Sequence, residues 1–367
     1  MSVRTPKYGR LLEDFEVGAV YAHPWEVTVD AGTVALFQAS FLDATPAYAS
    51  ARYAWDMGLR DRLLSPLLLL NLGLSFSVHD VSEQAIAHLA YIDVRFPEAA
   101  YAGDTLVAKS SVLDVKVASS LDKGVVHVRT TLSRLEGSAV CVFERKALVR
   151  AGRLEARPPP VSSAALPSLA GGRAAPVERL PPELRETVRV PARASRFAGV
   201  ARNFEVGDVI FHDVGKTVGE SEHMQLTALC RNTHPLHFDE AYCAGGASFA
   251  KTRVVYGGLV FAWVASLASR DTTGNVLWDM GFDRGAHPAG VVAGDTLFAA
   301  SKVLANEPHD GATARVTFRL VGTKNRKPAE IVAAGGDLFT AELGKKEGKV
   351  AEKVFEVDRT VLMRRKG

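Results

Sequence analysis

The chain has 367 residues, 47% of them apolar and 23% charged, with a mean hydropathy of +0.04. That composition supports a large buried core and excludes a mostly disordered chain, while the length allows two or three domains. The net charge of +3 is too small for the dense basic face that nucleic-acid binding requires, and three cysteines (Cys141, Cys230, Cys243) without a Cys-x-x-Cys pair make neither a disulfide framework nor a zinc site.

The first eighteen residues contain no apolar run, so no signal peptide is expected there, and reduced thiols fit a cytoplasmic protein. An opening turn, Phe15 to Val20 (FEVGAV), leads into a β-branched strand from Trp25 to Val29 and then a helix over Ala31–Leu42. The longest apolar stretch runs from Leu63 to Val78 and is broken by Pro66, Asn71 and Ser75. It is shorter than the roughly 20 residues a membrane span needs, so it predicts a buried core helix over Leu67–Val78 and no membrane association. Three or four alternating segments follow, among them Val125–Leu132, with the period-2 pattern of half-buried strands. Arg153 to Ala198 holds eight of the seventeen prolines and reads as a partly extended linker.

Beyond the linker the same order returns. FEVGAV (Phe15 to Val20) recurs as FEVGDV (Phe204 to Val209), 189 residues on. AGDTL (Ala102 to Leu106) recurs as Ala293 to Leu297, 191 residues on, and Val112-Leu113 recurs at that spacing as Val303-Leu304. Glu144–Arg150 resembles Asp358–Arg364 at a spacing of 214, which places about 23 extra residues in the second copy, in the Gly/Lys-rich stretch 325–349. The second copy predicts a strand over Lys216–Val218, helices over Ser221–Cys230 and Gly258–Ser269, and a strand over Arg315–Leu320. The expected domains are therefore 1–152, a linker over 153–198, and 199–367 with an insertion around 325–349. One long helix followed by a meander of antiparallel strands suggests a sheet wrapped around a helix. Two such units could join edge to edge into one sheet.

The segment Asn232-Thr-His-Pro-Leu-His237, then Tyr256-Gly257-Gly258, then Ala293–Leu297, resembles the MaoC-type (R)-specific enoyl-CoA hydratases, whose motif reads Gly-Asp-x-Asn-Pro-Leu-His. The duplicated layout is most similar to the mesaconyl-CoA hydratase (3-methylmalyl-CoA dehydratase) branch of that family. The resemblance implies an α+β double-hotdog fold and a hydro-lyase. It also implies a CoA thioester as substrate and no cofactor beyond the CoA that the substrate carries. His237 matches the catalytic histidine and Gly257 the glycine whose amide polarises the thioester carbonyl. Asn232 stands where the family has its aspartate, and an amide does not exchange a proton at neutral pH.

The chemistry also follows from the residues themselves. Adding water to an α,β-unsaturated thioester builds negative charge on the carbonyl oxygen, which a backbone amide at a helix N-terminus can stabilise. A histidine can serve as base and acid near neutrality. In the first copy Asp43 aligns with Asn232, Tyr48 with His237 and Pro66 with Gly257. That site lacks both the histidine and the amide, so it reads as degenerate, shaping the acyl pocket, with Asp43 also readable as a turn cap. Tyr256 and Gly258 flank Gly257, and Lys251, Arg253, Arg284 and Lys302 are the basic residues near the site in sequence that could meet CoA phosphates. No phosphate-cradling glycine loop, metal-ligand spacing or Gly-x-Ser-x-Gly turn is present, so no metal is expected. Alternative readings are another MaoC-type hydratase acting on a different enoyl-CoA or on an acyl carrier, a hotdog thioesterase, and a non-catalytic acyl-CoA binder. A homodimer is compatible with all of them.

Overall fold

The computed structural model describes residues 3–4, 7–152, 180–185, 189–193, 200–342, 345 and 347–366. In the N-terminal half, strand β1 (Val20–Thr28) precedes helices α1 (Ala31–Phe41), α2 (Pro46–Ala49), α3 (Ala51–Asp56) and α4 (Pro66–Phe76). Strands β2 (Ala85–Arg95), β3 (Thr105–Val117), β4 (Lys123–Arg134) and β5 (Ala139–Arg150) follow. After a short helix α5 (Pro182–Arg185), the C-terminal half repeats the plan with β6 (Val209–Thr217), α6 (Glu220–Leu229), α7 (Glu240–Tyr242) and α8 (Gly257–Thr272). It ends with β7 (Val276–Ala286), β8 (Thr296–Pro308), β9 (Thr313–Lys324), α9 (Pro328–Ala333) and β10 (Lys353–Arg364).

All ten strands form one antiparallel sheet in the order β1-β3-β4-β5-β2-β7-β10-β9-β8-β6. The halves meet where β2 pairs with β7, at Tyr91 opposite Gly285 and Val94 opposite Phe282. This is two hotdog units sharing a sheet, the double hotdog that the resemblance implied.

Local sequence explains the elements that place the site. Asp30 accepts a hydrogen bond from the Thr33 amide at 2.6 Å and so caps α1, which stops at Leu42 in the left-handed region. All eleven residues of α4 are buried, so no solvent-facing stripe survives on it, and it packs between the sheet and α8. Burying each of its leucines contributes roughly 1.5–3 kcal/mol. The repeated AGDTL turns need a left-handed glycine: Gly103 has φ 95° and Gly294 φ 91°, and their amides bond to the carbonyls of Val29 and Val218. The two long helices cross where Asn71 Nδ2 donates to the Gly258 carbonyl at 3.1 Å. A Cβ on Gly258 would come within 2.0 Å of Asn71 Oδ1, so only glycine permits that crossing.

One hydrophobic core spans both halves, with Leu70, Phe76, Phe143, Phe261, Phe282 and Phe355 fully buried in it. The linker contributes to this core as well, because Leu180 and Leu184 are buried there. Residues 153–179, 186–188 and 194–198 of the linker lie outside the described residues. Between β9 and β10 the chain forms α9 and packs Ile331 and Leu338 on Val321, whereas β4 and β5 are joined by four residues. Among the described residues no helix is long and apolar enough to cross a membrane.

Candidate active site

A cavity of about 270 Å³ opens at the border between the halves. The C-terminal half supplies the turn Asn232–His237, the start of α8 and residues 287–291 after β7. The N-terminal half supplies the end of α4, the first part of β2 and Arg145 of β5. The expected residues His237, Asn232, Gly257 and Tyr256 all line this cavity.

His237 is held by its Nδ1, which lies 2.8 Å from the Val254 carbonyl oxygen. A carbonyl only accepts, so Nδ1 carries the proton and Nε2 keeps its lone pair. Burial, helped by His234 and opposed by the Val254 bond, lowers its pKa to about 3, so the ring is a neutral base at physiological pH. The turn that presents it is built by its own side chains. Asn232 Oδ1 accepts from the His234 amide at 3.0 Å, and His234 Nδ1 accepts from the Leu236 amide at 3.2 Å. Mainly through burial, His234 too falls to about 4.

Helix α8 begins at Gly257 with Tyr256 as its N-cap and no side-chain cap. The first bonded amides there are those of Leu259 and Val260, both to the Tyr256 carbonyl, so the Gly257 and Gly258 amides have no acceptor among the described residues. His287 closes over Gly257: a Cβ there would stand 2.9 Å from His287 Nε2. Tyr91 donates its hydroxyl to that same nitrogen at 3.1 Å. The site thus combines a neutral imidazole base with unpaired amides at a helix N-terminus, the two groups that hydration of an enoyl thioester requires.

The mesaconyl-CoA hydratase family profile matches residues 2–334. A mesaconyl-CoA hydratase of Cereibacter sphaeroides is 33% identical over 321 residues, which are 86% of this chain and 90% of that one. A beta-methylmalyl-CoA dehydratase of Chloroflexus aurantiacus is 30% identical over the whole of both chains. The chain belongs to the mesaconyl-CoA hydratase family. A Chloroflexus aurantiacus structure described as a MaoC domain dehydratase superposes over the full length of both chains with a TM-score of 0.85 at 28% identity. A Mycobacterium tuberculosis protein described as a double hotdog gives 0.73 at 19%, a likeness of fold. Members of the mesaconyl-CoA hydratase family are MaoC-like hydro-lyases of CoA thioesters, and this chain is one of them.

In this member of the mesaconyl-CoA hydratase family the pseudo-symmetric position in the N-terminal half is closed. Its remaining space is about 10 Å³, lined by Tyr48, Pro66 and Asp279 among others. Asp43 Oδ1 accepts from the Thr45 amide at 2.9 Å, the same turn that Asn232 makes, and burial raises the Asp43 pKa. Tyr48, in the place of His237, donates its hydroxyl to Asp279 at 2.7 Å. Asp279 in turn holds Arg359 through two bonds of 2.7 and 2.8 Å. Burial works against the charge of Arg359, but Asp279 outweighs it and raises the pKa above the ordinary value. At α4 the Ser65 hydroxyl caps the Leu67 amide at 3.3 Å, and Pro66 has no backbone N–H to donate.

The N-terminal half therefore lines the cavity through α4, β2 and β5, but not through Asp43 and Tyr48, the residues expected there, which lie at the closed position. The basic candidates lie outside the cavity lining. Arg253 pairs with Glu220 and with Glu240, the latter at 3.1 Å. Arg284 pairs with Asp358 across the β7–β10 ladder. Lys251 is exposed on the loop before α8, and Lys302 lies 6.0 Å from the Phe339 ring centroid. Sequence reasoning missed Arg145, His88, Tyr91 and His287. The repeat at a spacing of 214 carried a usable signal, because it matches Arg145 to Arg359.

Proposed function

We propose that this chain reversibly hydrates mesaconyl-CoA to 3-methylmalyl-CoA. The names of its relatives support that pair, and the observation that carries the reaction type is the His237 tautomer beside the free Gly257 amide. In the hydration direction a water gives its proton to His237 Nε2 and its oxygen to the β-carbon. The electron pair of the C=C bond shifts into the bond between the α-carbon and the carbonyl carbon, the C=O pair moves onto the thioester oxygen, and the Gly257 amide donates a hydrogen bond to that oxygen. The imidazolium then returns the proton to the α-carbon, which restores the thioester and the neutral ring. One histidine makes both transfers, and Asn232 holds the turn and orients the water. Burial disfavours the imidazolium; an anionic acyl group and a developing enolate both favour it.

Hydrolysis of the thioester gains no support, since no aspartate or glutamate lines the cavity among the described residues. The three cysteines are free and buried, which suits the cytoplasm. Hydration is tested by loss of enoyl absorbance in the presence of mesaconyl-CoA. His237→Ala should lower the rate by ~10²–10⁴-fold with the fold intact by circular dichroism. Turnover near that of the unaltered enzyme would reject His237 as the acid–base group, and thiol release without enoyl loss would reject hydration.

A further inference from the structure

The two sites share a register that permits an atom-level comparison. On β2 and β5, Tyr91 lies opposite Arg145 and His88 opposite Ala147. On β7 and β10, Phe282 lies opposite Arg359 and Asp279 opposite Val361. Arg145 and Arg359 are thus equivalent, and His88 occupies the place of Asp279. In the closed position a carboxylate satisfies the arginine. In the open cavity that carboxylate is missing.

Arg145 is buried, with 3% of its surface exposed. Its guanidinium bonds only to hydroxyls, Ser77 Oγ at 2.8 Å and Ser82 Oγ at 3.3 Å, and its Nε has no partner. Among the described residues it forms no ion pair and is the only lysine or arginine in the cavity lining, which holds no acidic side chain. The neighbouring His88 Nε2 is likewise buried without a partner. Leaving a charge buried and unpaired is strongly unfavourable, so such an arrangement calls for an anion from outside the chain.

We propose that Arg145 binds the second carboxylate of the acyl group, so that the cavity selects enoyl-CoA thioesters bearing an acid on the β-carbon. The Asp279 carboxylate bridges Arg359 and Tyr48 in the closed position. A substrate carboxylate on Arg145 would be placed the same way, on the side of His237, the counterpart of Tyr48. His88, kept neutral by burial, carries no negative charge to compete for the guanidinium. This inference rests on the hydration reading for its choice of substrate, and its test has an arm that does not depend on turnover.

Two substrates and two unreactive thioesters separate the outcomes. Arg145→Met should lower kcat/KM for mesaconyl-CoA about 10- to 100-fold, the range for a lost charge-assisted bond, and leave crotonyl-CoA within about threefold. An equal loss on both would make Arg145 merely structural and overturn the proposal. His88→Asp rebuilds the Asp279–Arg359 pair inside the open cavity, so it should erase any preference for succinyl-CoA over butyryl-CoA in binding and raise Tm. A retained preference would overturn the proposal even if Arg145→Met fails to fold. If the unaltered protein hydrates neither enoyl-CoA yet prefers succinyl-CoA, and His88→Asp abolishes that preference, Arg145 stands and the hydration reading falls. If mesaconyl-CoA is hydrated and both variants keep their selectivity for it, the hydration reading stands and Arg145 falls.

Discussion

At the start of α4, Ser65 caps the helix and Pro66 removes an amide; at the start of α8, Tyr256 and Gly257 do neither. A similar contrast separates the two arginines, Arg359 on a carboxylate and Arg145 on hydroxyls alone. At the closed position Asp279 meets both Arg359 and Tyr48, and the space shrinks to about 10 Å³. Around the open cavity of about 270 Å³, Arg145 has no carboxylate partner, and its Nε and His88 Nε2 are left unpaired. One backbone plan thus yields a stabilising network or a reaction site, depending on whether its polar groups are satisfied from within. An active site built this way keeps its desolvation penalties unmet until substrate arrives.

The comparison breaks first, and by the largest margin, at Asp279. Asp279→Ala strands Arg359 in the core and should cost about 3–5 kcal/mol of stability, read as a drop in the urea midpoint, while folded enzyme retains its kcat. A midpoint unchanged within error would mean that the closed position is not held by this ion pair.

Exchanging the helix starts comes next. Gly257→Pro removes the amide at a position where proline is tolerated in a helix, as Pro66 shows at the equivalent place. We expect kcat to fall ~10²–10³-fold, the usual loss for one oxyanion donor. Proline also brings a Cβ toward His287, so Gly257→Ala serves as the control for crowding alone. If the alanine variant loses as much as the proline variant, the amide is not the group that matters.

The smallest effect concerns the turn itself. Asn232 and Asp43 make the same hydrogen bond two residues on, so Asn232→Asp should leave the turn intact. It adds a negative charge beside the cavity. Like charges about 4 Å apart repel by ~1 kcal/mol in water and on the order of 4 kcal/mol at an effective dielectric of about 20. The KM for mesaconyl-CoA should therefore rise at least about fivefold, while crotonyl-CoA is spared or favoured. Equal gains on both substrates would show that no substrate carboxylate lies near Asn232.

Local signals made much of this legible beforehand. Two ordered repeats, the apolar runs of α4 and α8 and the period-2 pattern of β4 and β9 depend on neighbours in sequence, and each corresponds to an element of the fold. The Asn232–His237 motif and Gly257 also proved to share one cavity. What escaped depends on register between distant strands. Arg145 looks like one more surface charge on an alternating strand until β5 is laid against β2, and Arg284 looks free until β10 brings Asp358 beside it. Leu180 and Leu184 escaped for another reason: a proline-rich stretch reads as solvated, yet these two leucines insert into the core.

The junction between β2 and β7 has a consequence for how such a protein can specialise. Each site takes its helix start from one half and its facing strands from the other. In a symmetric pair of identical hotdog chains, any substitution would appear in both sites at once, and a group suited to one end of a lopsided substrate would be forced on its twin. Joining the copies in a single chain lifts that constraint. A histidine can replace an aspartate on β2 without touching β7, so one site can be tailored to an asymmetric molecule while its sibling is retired into architecture.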